Sequence, residues 1–345
     1  MQTAAAPGSG ALSFIIIVPV IRHDARTRRC LDACANLAYA HKTICAVSDE
    51  PLALPDGLDV VAVTTHAGTL TSPAFKRDAA RQMFPNADVY ANLDDDAYPP
   101  PNWLDEAARV LSEHEHAAGA GGPGLAPPDQ TFSERISSAV LQTWIGSGPL
   151  RFRFWPEPAR DCDDFPSHNL FLRARSLDAV GGWSTNWNGG EDTEVCARLA
   201  DRGGLIRYDP SLGAYHYRRA FVPGHLLQIF NVGRSRGCFI RDGERRSRRL
   251  TFAGPPAVVA CVALLAGAPL FGAPLGLVAG AAGAIFAAIA LFGHPGPLDW
   301  RLRLILPLAL VAHHAAYTAG MAYGFATGTR TVRPDPSETQ ANYSM

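Results

Sequence analysis

From Thr251 to Gly293 the chain carries not one Asp, Glu, Lys or Arg. A helix or strand facing water does not sustain so long an uncharged run, whereas a bilayer span needs roughly 20 apolar residues. The run therefore reads as two membrane helices, about 253–272 and 275–293, hinged at Gly272-Ala273-Pro274. A third apolar stretch, about 304–325, carries His313 and His314. A buried hairpin in a soluble core is the alternative, and the length of the run argues against it. Ala and Gly dominate the spans, which suits close helix packing in lipid.

The basic residues set an orientation. Arg241, Arg245, Arg246, Arg248 and Arg249 precede the first span, and Arg301 and Arg303 lie between the second and third. The Gly272–Pro274 turn has none, and the tail has Arg330 and Arg333. The bias of Lys and Arg toward the cytoplasmic face places residues 1–250 in the cytoplasm and the C-terminus outside, on a cytoplasmic (inner) membrane. The apolar run Phe14–Val18 is too short for a secretory signal and has no basic flank before it, so it reads as a core strand. Net charge is −1 with pI about 6.8, so no global field draws the chain to nucleic acid. Seven scattered cysteines, with no Cys-x-x-Cys pair and no zinc spacing, imply reduced and mostly buried thiols.

The soluble part alternates strand and helix. Strands are expected at Ser13–Val20, Thr43–Val47, Leu58–Val63 and Asp88–Leu93, and helices at Thr27–Ala40 and Pro73–Met83. Such alternation gives a mostly parallel sheet with right-handed crossovers, which binds ligands beyond the carboxyl ends of its strands. Asp49 and Leu93-Asp94-Asp95-Asp96 fall at such ends. Three adjacent carboxylates repel one another unless a cation sits among them, and a hard divalent ion takes oxygen ligands together with substrate phosphates. A solvated acidic turn is the alternative. A second acidic cluster, Glu191-Asp192-Thr193-Glu194, follows Gly189-Gly190 at a helix start, where the macrodipole favours negative charge. Neither a Gly-x-Gly-x-x-Gly after the first strand nor a Gly-Lys-Ser/Thr loop is present, which disfavours dinucleotide and ATPase sites.

The ordered series Ile15–Val20, Ser48-Asp49, Lys76-Arg77-Asp78, Leu93–Asp96, Gly181-Gly182-Trp183 and Gly190–Glu194 resembles the family 2 glycosyltransferases of the GT-A fold that carry C-terminal membrane helices. The resemblance covers about residues 12–240. It implies an α/β GT-A domain at 12–220, a basic juxtamembrane helical segment at 221–250 and a membrane region at 251–326. The segments 1–11 and 327–345 are expected to be disordered.

Residue by residue, the resemblance implies that Pro19, Asp49 and Asp95 line a nucleotide-sugar site, with Asp49 on the base, commonly uracil. Lys76 and Arg77 would approach the nucleotide or its phosphates; a solvated helix face is the other reading. Asp94 and Asp96 match Asp-x-Asp and would hold Mg²⁺ or Mn²⁺. His216 would be a further metal ligand or a structural histidine. Asp192, with Glu191 beside it, matches the base that deprotonates an acceptor hydroxyl. Gln-x-x-Arg-Trp is missing, and Gly233-Arg234-Ser235-Arg236-Gly237 stands in that region. Arg234 and Arg236 would bind phosphates of donor or lipid carrier; a basic segment attracted to anionic lipid is the alternative.

The expected activity is inverting, metal-dependent transfer of one sugar, of hexosyltransferase type. The donor would be a nucleotide sugar, a UDP-sugar first. The acceptor would be lipid-linked or membrane-proximal, in envelope glycan or glycolipid assembly. Two rivals remain: a polyprenyl-phosphate sugar synthase, and a membrane-tethered nucleotide-sugar sensor or scaffold without turnover.

Overall fold

A computed structural model describes residues 11–54, 57–65, 71–184, 189–328 and 343–344. The expected disordered N-terminus, apart from Ala11, and Asn188 lie outside these residues, as does most of the tail.

The chain runs β1 (Phe14–Pro19), α1 (Ala25–Ala35), β2 (Lys42–Ser48), β3 (Val61–Thr65), α2 (Pro73–Met83), β4 (Val89–Leu93), β5 (Ala97–Tyr98) and α3 (Trp103–Glu113). It continues through β6 (Gly119–Gly121), β7 (Gly124–Leu125), α4 (Phe132–Gln142), α5 (Trp144–Ser147), β8 (Arg160–Cys162), β9 (Asn169–Arg173) and α6 (Ala174–Ala179). Next come α7 (Glu191–Asp201), β10 (Ile206–Tyr208), β11 (Ala214–His216) and α8 (Leu226–Arg241). The C-terminal region holds α9 (Gly254–Gly267), α10 (Leu275–Phe292), α11 (Trp300–Thr327) and β12 (Tyr343–Ser344).

The main sheet has the order β12-β3-β2-β1-β4-β9-β6-β10-β8. Strands β3, β2, β1 and β4 are parallel, whereas β9 is antiparallel to both β4 and β6, so the sheet is mixed. β1 is apolar throughout because both of its faces are covered, as in central parallel strands generally. Phe14, Ile16 and Val18 pack with Cys30, Leu31 and Cys34 of α1 and Trp103, Leu104 and Ala107 of α3. Ile15 and Ile17 point the other way, toward Ala74 and Ala80 of α2 and Val195 and Leu199 of α7. The period-two alternation of one strand thereby builds two cores. Asp24 caps α1 and Ser72 caps α2, each side-chain oxygen taking free first-turn amides.

Parallel register aligns the carboxyl ends: Ile17 lies beside Cys45 on one side and Asn92 on the other. Asp49 and Asp94, each just beyond its strand, therefore share one edge. A small second sheet, β5-β11-β7, stands over that edge and pairs His216 with Ala97.

Three C-terminal helices are long and apolar enough to cross a membrane: Leu250–Phe271, Leu275–Phe292 and Trp300–Thr327. The first two bury almost nothing against the protein, but the third buries nearly half of its most apolar window. The tail, expected to be disordered, includes β12, which pairs antiparallel with β3 at the sheet edge. Of the cysteines, five are buried, Cys162 is half-buried and Cys261 on α9 is exposed.

Candidate active site

The carboxylates at the sheet edge do not share one role. Asp49 Oδ1 accepts from Thr65 Oγ1 at 2.8 Å and from the amide and hydroxyl of Thr71 at 3.1 and 2.5 Å. Its Oδ2 accepts from Lys76 Nζ at 2.6 Å. Burial would raise this carboxyl, yet Lys76 and the two threonines hold it below the usual carboxylate range. A carboxylate has about four lone-pair sites, and among the described residues one on Oδ2 is not taken up. Lys76 is buried rather than solvated, and it fixes Asp49 through their ion pair.

Asp95 turns away from the edge. Its Oδ2 accepts from the amides of Ile21 and Arg22 at 2.7 and 3.0 Å, tying down the turn that follows Pro19. Burial pushes this carboxyl up to about 6.

Asp94 and Asp96, with His216, form the one potential metal-ligand cluster found among the described residues; their ligand atoms lie within 4.8 Å of one another. His216 reaches this place because Tyr217 N donates to Asp96 O at 3.0 Å and β11 is registered on β5. Burial would raise the Asp96 carboxyl, but His216, helped by Arg22 and Arg218, holds it below its ordinary value. His216 Nε2 is 3.0 Å from Asp96 Oδ1, and Arg218 Nη1 is 2.8 Å from His216 Nδ1. An arginine only donates, so Nδ1 accepts and the ring proton faces Asp96. Ligation through Nε2 requires that proton to move to Nδ1 and Arg218 to turn away. The two carboxylates can bind a cation as they stand. Burial lowers Arg218 to about 10, and the same guanidinium donates to Gly124 O at 2.6 Å. His168 stacks on His216 with ring centroids 4.6 Å apart, and burial, before the neighbouring charges, lowers it until it is neutral.

Arg77 joins the two acidic loops. Its Nη2 donates to Asp94 Oδ1 at 2.7 Å, and its Nη1 lies 3.9 Å from Glu191 Oε1. The side chain is fully buried, and Nε and Nη1 have no hydrogen-bond partner among the described residues. Trp183 floors it, the guanidinium carbon 5.3 Å from the ring centroid. The Gly181-Gly182-Trp183 turn is docked by Trp183 N on Asp78 Oδ1 at 3.0 Å. A Cβ on Gly182, whose φ is +81°, would stand 2.3 Å from that same oxygen.

Asp192 occupies the first turn of α7, entered through Gly190 at φ +93°. Its Oδ1 accepts from Thr193 N at 2.8 Å. Burial, then the nearby Asp164 carboxylate, raises it above the ordinary Asp value. Glu191 is raised as well, by burial first and Asp192 second. Asp164, to which the sequence assigned nothing, accepts from Thr193 Oγ1 at 3.1 Å and pairs with Arg153 at 3.5 Å and Arg236 at 3.3 Å.

The two arginines of the Gly-Arg-Ser-Arg-Gly element part company. Arg236 is buried, donating to Ser247 Oγ at 2.8 Å and stacked 3.9 Å over Phe252. Arg234 is half-buried, and no hydrogen bond or ion pair of its side chain is seen among the described residues. Ser235 between them touches Gly189 O at 3.3 Å, so α8 backs the loop that opens α7. The helical stretch after Thr131 breaks at Thr143, which closes α4 and caps α5. Of the aromatic cluster that follows, Phe152 is core, Phe154 lies against Arg218, and Trp155 meets His294.

Residues 91–323, well over half of the chain, match the sequence profile of glycosyl transferase family group 2. No curated protein sequence matches the chain. Among solved structures it is similar to the mannosyltransferase PcManGT from Pyrobaculum calidifontis, in complex with GDP-Man and Mn²⁺. The TM-score is 0.56 at 18% identity, covering 90% of each chain. S. aureus TarS aligns with TM-score 0.46 and 13% identity over 96% of this chain and 98% of that one. GalNAc-T7, solved with UDP, GalNAc and Mn²⁺, aligns with TM-score 0.48 and 11% identity over 70% of this chain and 53% of that one.

Proposed function

The chain belongs to glycosyl transferase family group 2, and on that premise we propose that it moves a single hexosyl group, with inversion, from a nucleotide sugar to a membrane-proximal or lipid-linked acceptor in envelope glycan or glycolipid assembly. The observation that carries the reading is the bridge made by Arg77 between Asp94 and Glu191. It links the turn that bears Asp94 and Asp96 to the helix start that bears Glu191 and Asp192, which supports reading the two acidic loops as one site.

Asp94 and Asp96 would hold the divalent ion, with His216 joining once Arg218 releases Nδ1. An imidazole in the set suits Mn²⁺ better than Mg²⁺. The ion, when bound, supplies Lewis-acid neutralisation of the departing diphosphate. Asp49 presents its remaining lone pair to a base N–H. GDP-mannose joins the UDP-sugars as a donor to test, since a structural neighbour carries it.

Asp192 takes the proton of the acceptor hydroxyl as it attacks the anomeric carbon. Its raised pKa suits that task, because a base is most effective when its pKa lies near the working pH. With Asp192 as the base, direct displacement at the anomeric carbon gives inversion. The basic segment before α9 is the reason to place the catalytic domain on the cytoplasmic face.

The test is nucleotide release by the purified, detergent-solubilised protein with UDP-, GDP- and dTDP-sugars, Mn²⁺ or Mg²⁺ and membrane lipid extract. Metal-dependent release that is absent from Asp96→Ala supports the reading. Release that survives Asp192→Asn would point to an acceptor already ionised, such as a lipid phosphate. Donor binding without release under every condition would sink the catalytic reading.

A further inference from the structure

Helix α11 qualifies by length and composition as a third membrane span. Its contacts tell against that. Near its start, Arg303 Nη1 donates to Leu291 O at the end of α10 at 2.8 Å. Leu306, Ala309 and Leu310 then pack on Ala139 and Val140 of α4. His314 Nε2 lies 3.1 Å from Ile145 O of α5. The second half runs alongside α8 at backbone contact. A Cβ on Gly320 would stand 2.0 Å from Phe230 O, and one on Gly324 2.0 Å from Arg234 O; Gly233 and Gly237 face Tyr317 and Met321 equally closely. At the far end Arg241 Nη1 donates to Ala326 O at 3.1 Å.

A helix of 28 residues is about 42 Å long. If it crossed a bilayer, α8 would have to cross with it, carrying Arg234, Arg236 and Arg241. But Arg236 is bonded to Asp164 beside the candidate base, and Arg246, just beyond α8, pairs with Asp201 of α7 at 2.8 Å. Both ends of α11 are thus fastened to the catalytic domain. β12 then pairs with β3 of the catalytic sheet, which returns the chain to the same side.

The outer face of α11 identifies what covers it. Leu304, Leu308, Val311, Ala315, Ala319 and Ala322 recur every three or four residues and are all exposed. The polar His313 and His314 are instead turned inward and buried. This is the reverse of a water-facing amphipathic helix, whose polar residues line the exposed stripe. The stripe lies beside the apolar hairpin of α9 and α10, which packs on α11 and buries almost nothing else. Trp300 and Trp144 are also exposed, and tryptophan is a residue of membrane interfaces.

We infer that the chain crosses the bilayer only twice, as the α9–α10 hairpin, and that α11 lies along the bilayer surface, gripped on one face by α4, α5 and α8 and bedded on lipid by the other. Both ends of the chain then lie on the catalytic side, in place of the outward C-terminus that three crossings require. The catalytic domain is held at a set height on the membrane by a lipid-bedded helix that touches α8, the helix backing the α7 loop.

The test is sidedness in sealed vesicles of the full-length protein, using a membrane-impermeant maleimide and scoring labelling above the unsubstituted chain. Glu115→Cys marks the catalytic side and Ala273→Cys the hairpin turn. Ser344→Cys should label from the side that labels Glu115→Cys, and Ala273→Cys from the opposite side. Thr327→Cys repeats the measurement if strand pairing shields Ser344. Labelling of the C-terminal cysteines with Ala273→Cys restores three crossings and overturns the inference; so does labelling of Ala273→Cys from the catalytic side. Nitroxides at Leu304, Val311 and Ala322 should report one shared shallow depth. A Val311 depth at the bilayer centre, with the other two near opposite surfaces, overturns the in-plane helix.

Discussion

Asn169 is fully buried at the start of β9, and all its hydrogen-bonding capacity is directed at other elements. Its Oδ1 accepts from Trp103 Nε1 at 3.0 Å, and its Nδ2 donates to Gly122 O at 3.0 Å and Leu212 O at 2.7 Å. Asn169→Leu keeps the volume roughly and strands all three partners, two of them carbonyls in the stretches leading to β7 and β11. Each buried group left without a partner costs about 1–3 kcal/mol, the lower half of that range applying where neighbours relax. Three such groups give about 3–5 kcal/mol, and the apolar gain of leucine returns about 1–2 kcal/mol. The expected net loss is about 1–4 kcal/mol, a large share of the roughly 5–15 kcal/mol that holds a domain together. Pulse proteolysis across a urea series, on protein in detergent, reads this as a lower midpoint. Asn169→Asp should be at least as damaging at neutral pH, since it sets an anionic oxygen against two carbonyl oxygens. Because Leu212 leads into the strand bearing His216, Mn²⁺ affinity followed by electron paramagnetic resonance should fall as well. A midpoint shift corresponding to less than about 1 kcal/mol for Asn169→Leu would refute the reasoning, since it would mean the orphaned groups find water or one another.

With Asp192 as the proposed base, its raised carboxyl should place the acid limb of transfer above the ordinary Asp range, because a base acts in its ionised form; Asp164→Asn, which removes a raising charge, should move that limb to lower pH. The same sign carries into stability: a raised carboxyl favours the folded state below the unfolded pKa, and that advantage is lost as pH climbs through the folded pKa. Asp192→Asn should therefore abolish transfer to an alcohol while raising the melting temperature at neutral pH. Arg236→Ala, which leaves buried Asp164 short of a partner, should cost about 3–5 kcal/mol on the same proteolysis scale, whereas Arg234→Ala should leave the midpoint unchanged and lower only the transfer rate. Gly320→Ala sets a methyl 2.0 Å from the Phe230 carbonyl oxygen; overpacking of this kind costs about 1–3 kcal/mol, and intact thermal stability would show that the two helices can part freely.

Much of the molecule was legible before any coordinates. Short apolar runs, helical periodicity and a charge-free stretch longer than any core helix are signals that act within a turn or a strand. They indicated the strands and helices up to Leu93 but not β5, with the end of α1 expected at Ala40 rather than Ala35, and they marked the strand ends that bear Asp49 and Asp94 and the apolar stretch that forms α9 and α10. What they left open was partnership. Asp94, Asp95 and Asp96 are equivalent in sequence, yet one is bridged by Arg77, one is spent on the turn after Pro19 and one faces His216. Arg234 and Arg236 differ in the same way, because their positions fall on different faces of α8. Asp164 sits in an acidic run that gives no sign of its partners, and only chain segments far apart in sequence bring Arg153, Thr193 and Arg236 around it. Hydropathy likewise made α11 apolar enough to span, but not which of its faces the protein would cover. Local interactions decide whether a segment is a helix, a strand or lipid-soluble. Sheet register and backbone contact between distant helices decide which of its side chains meet, and so which carboxylates are left for chemistry.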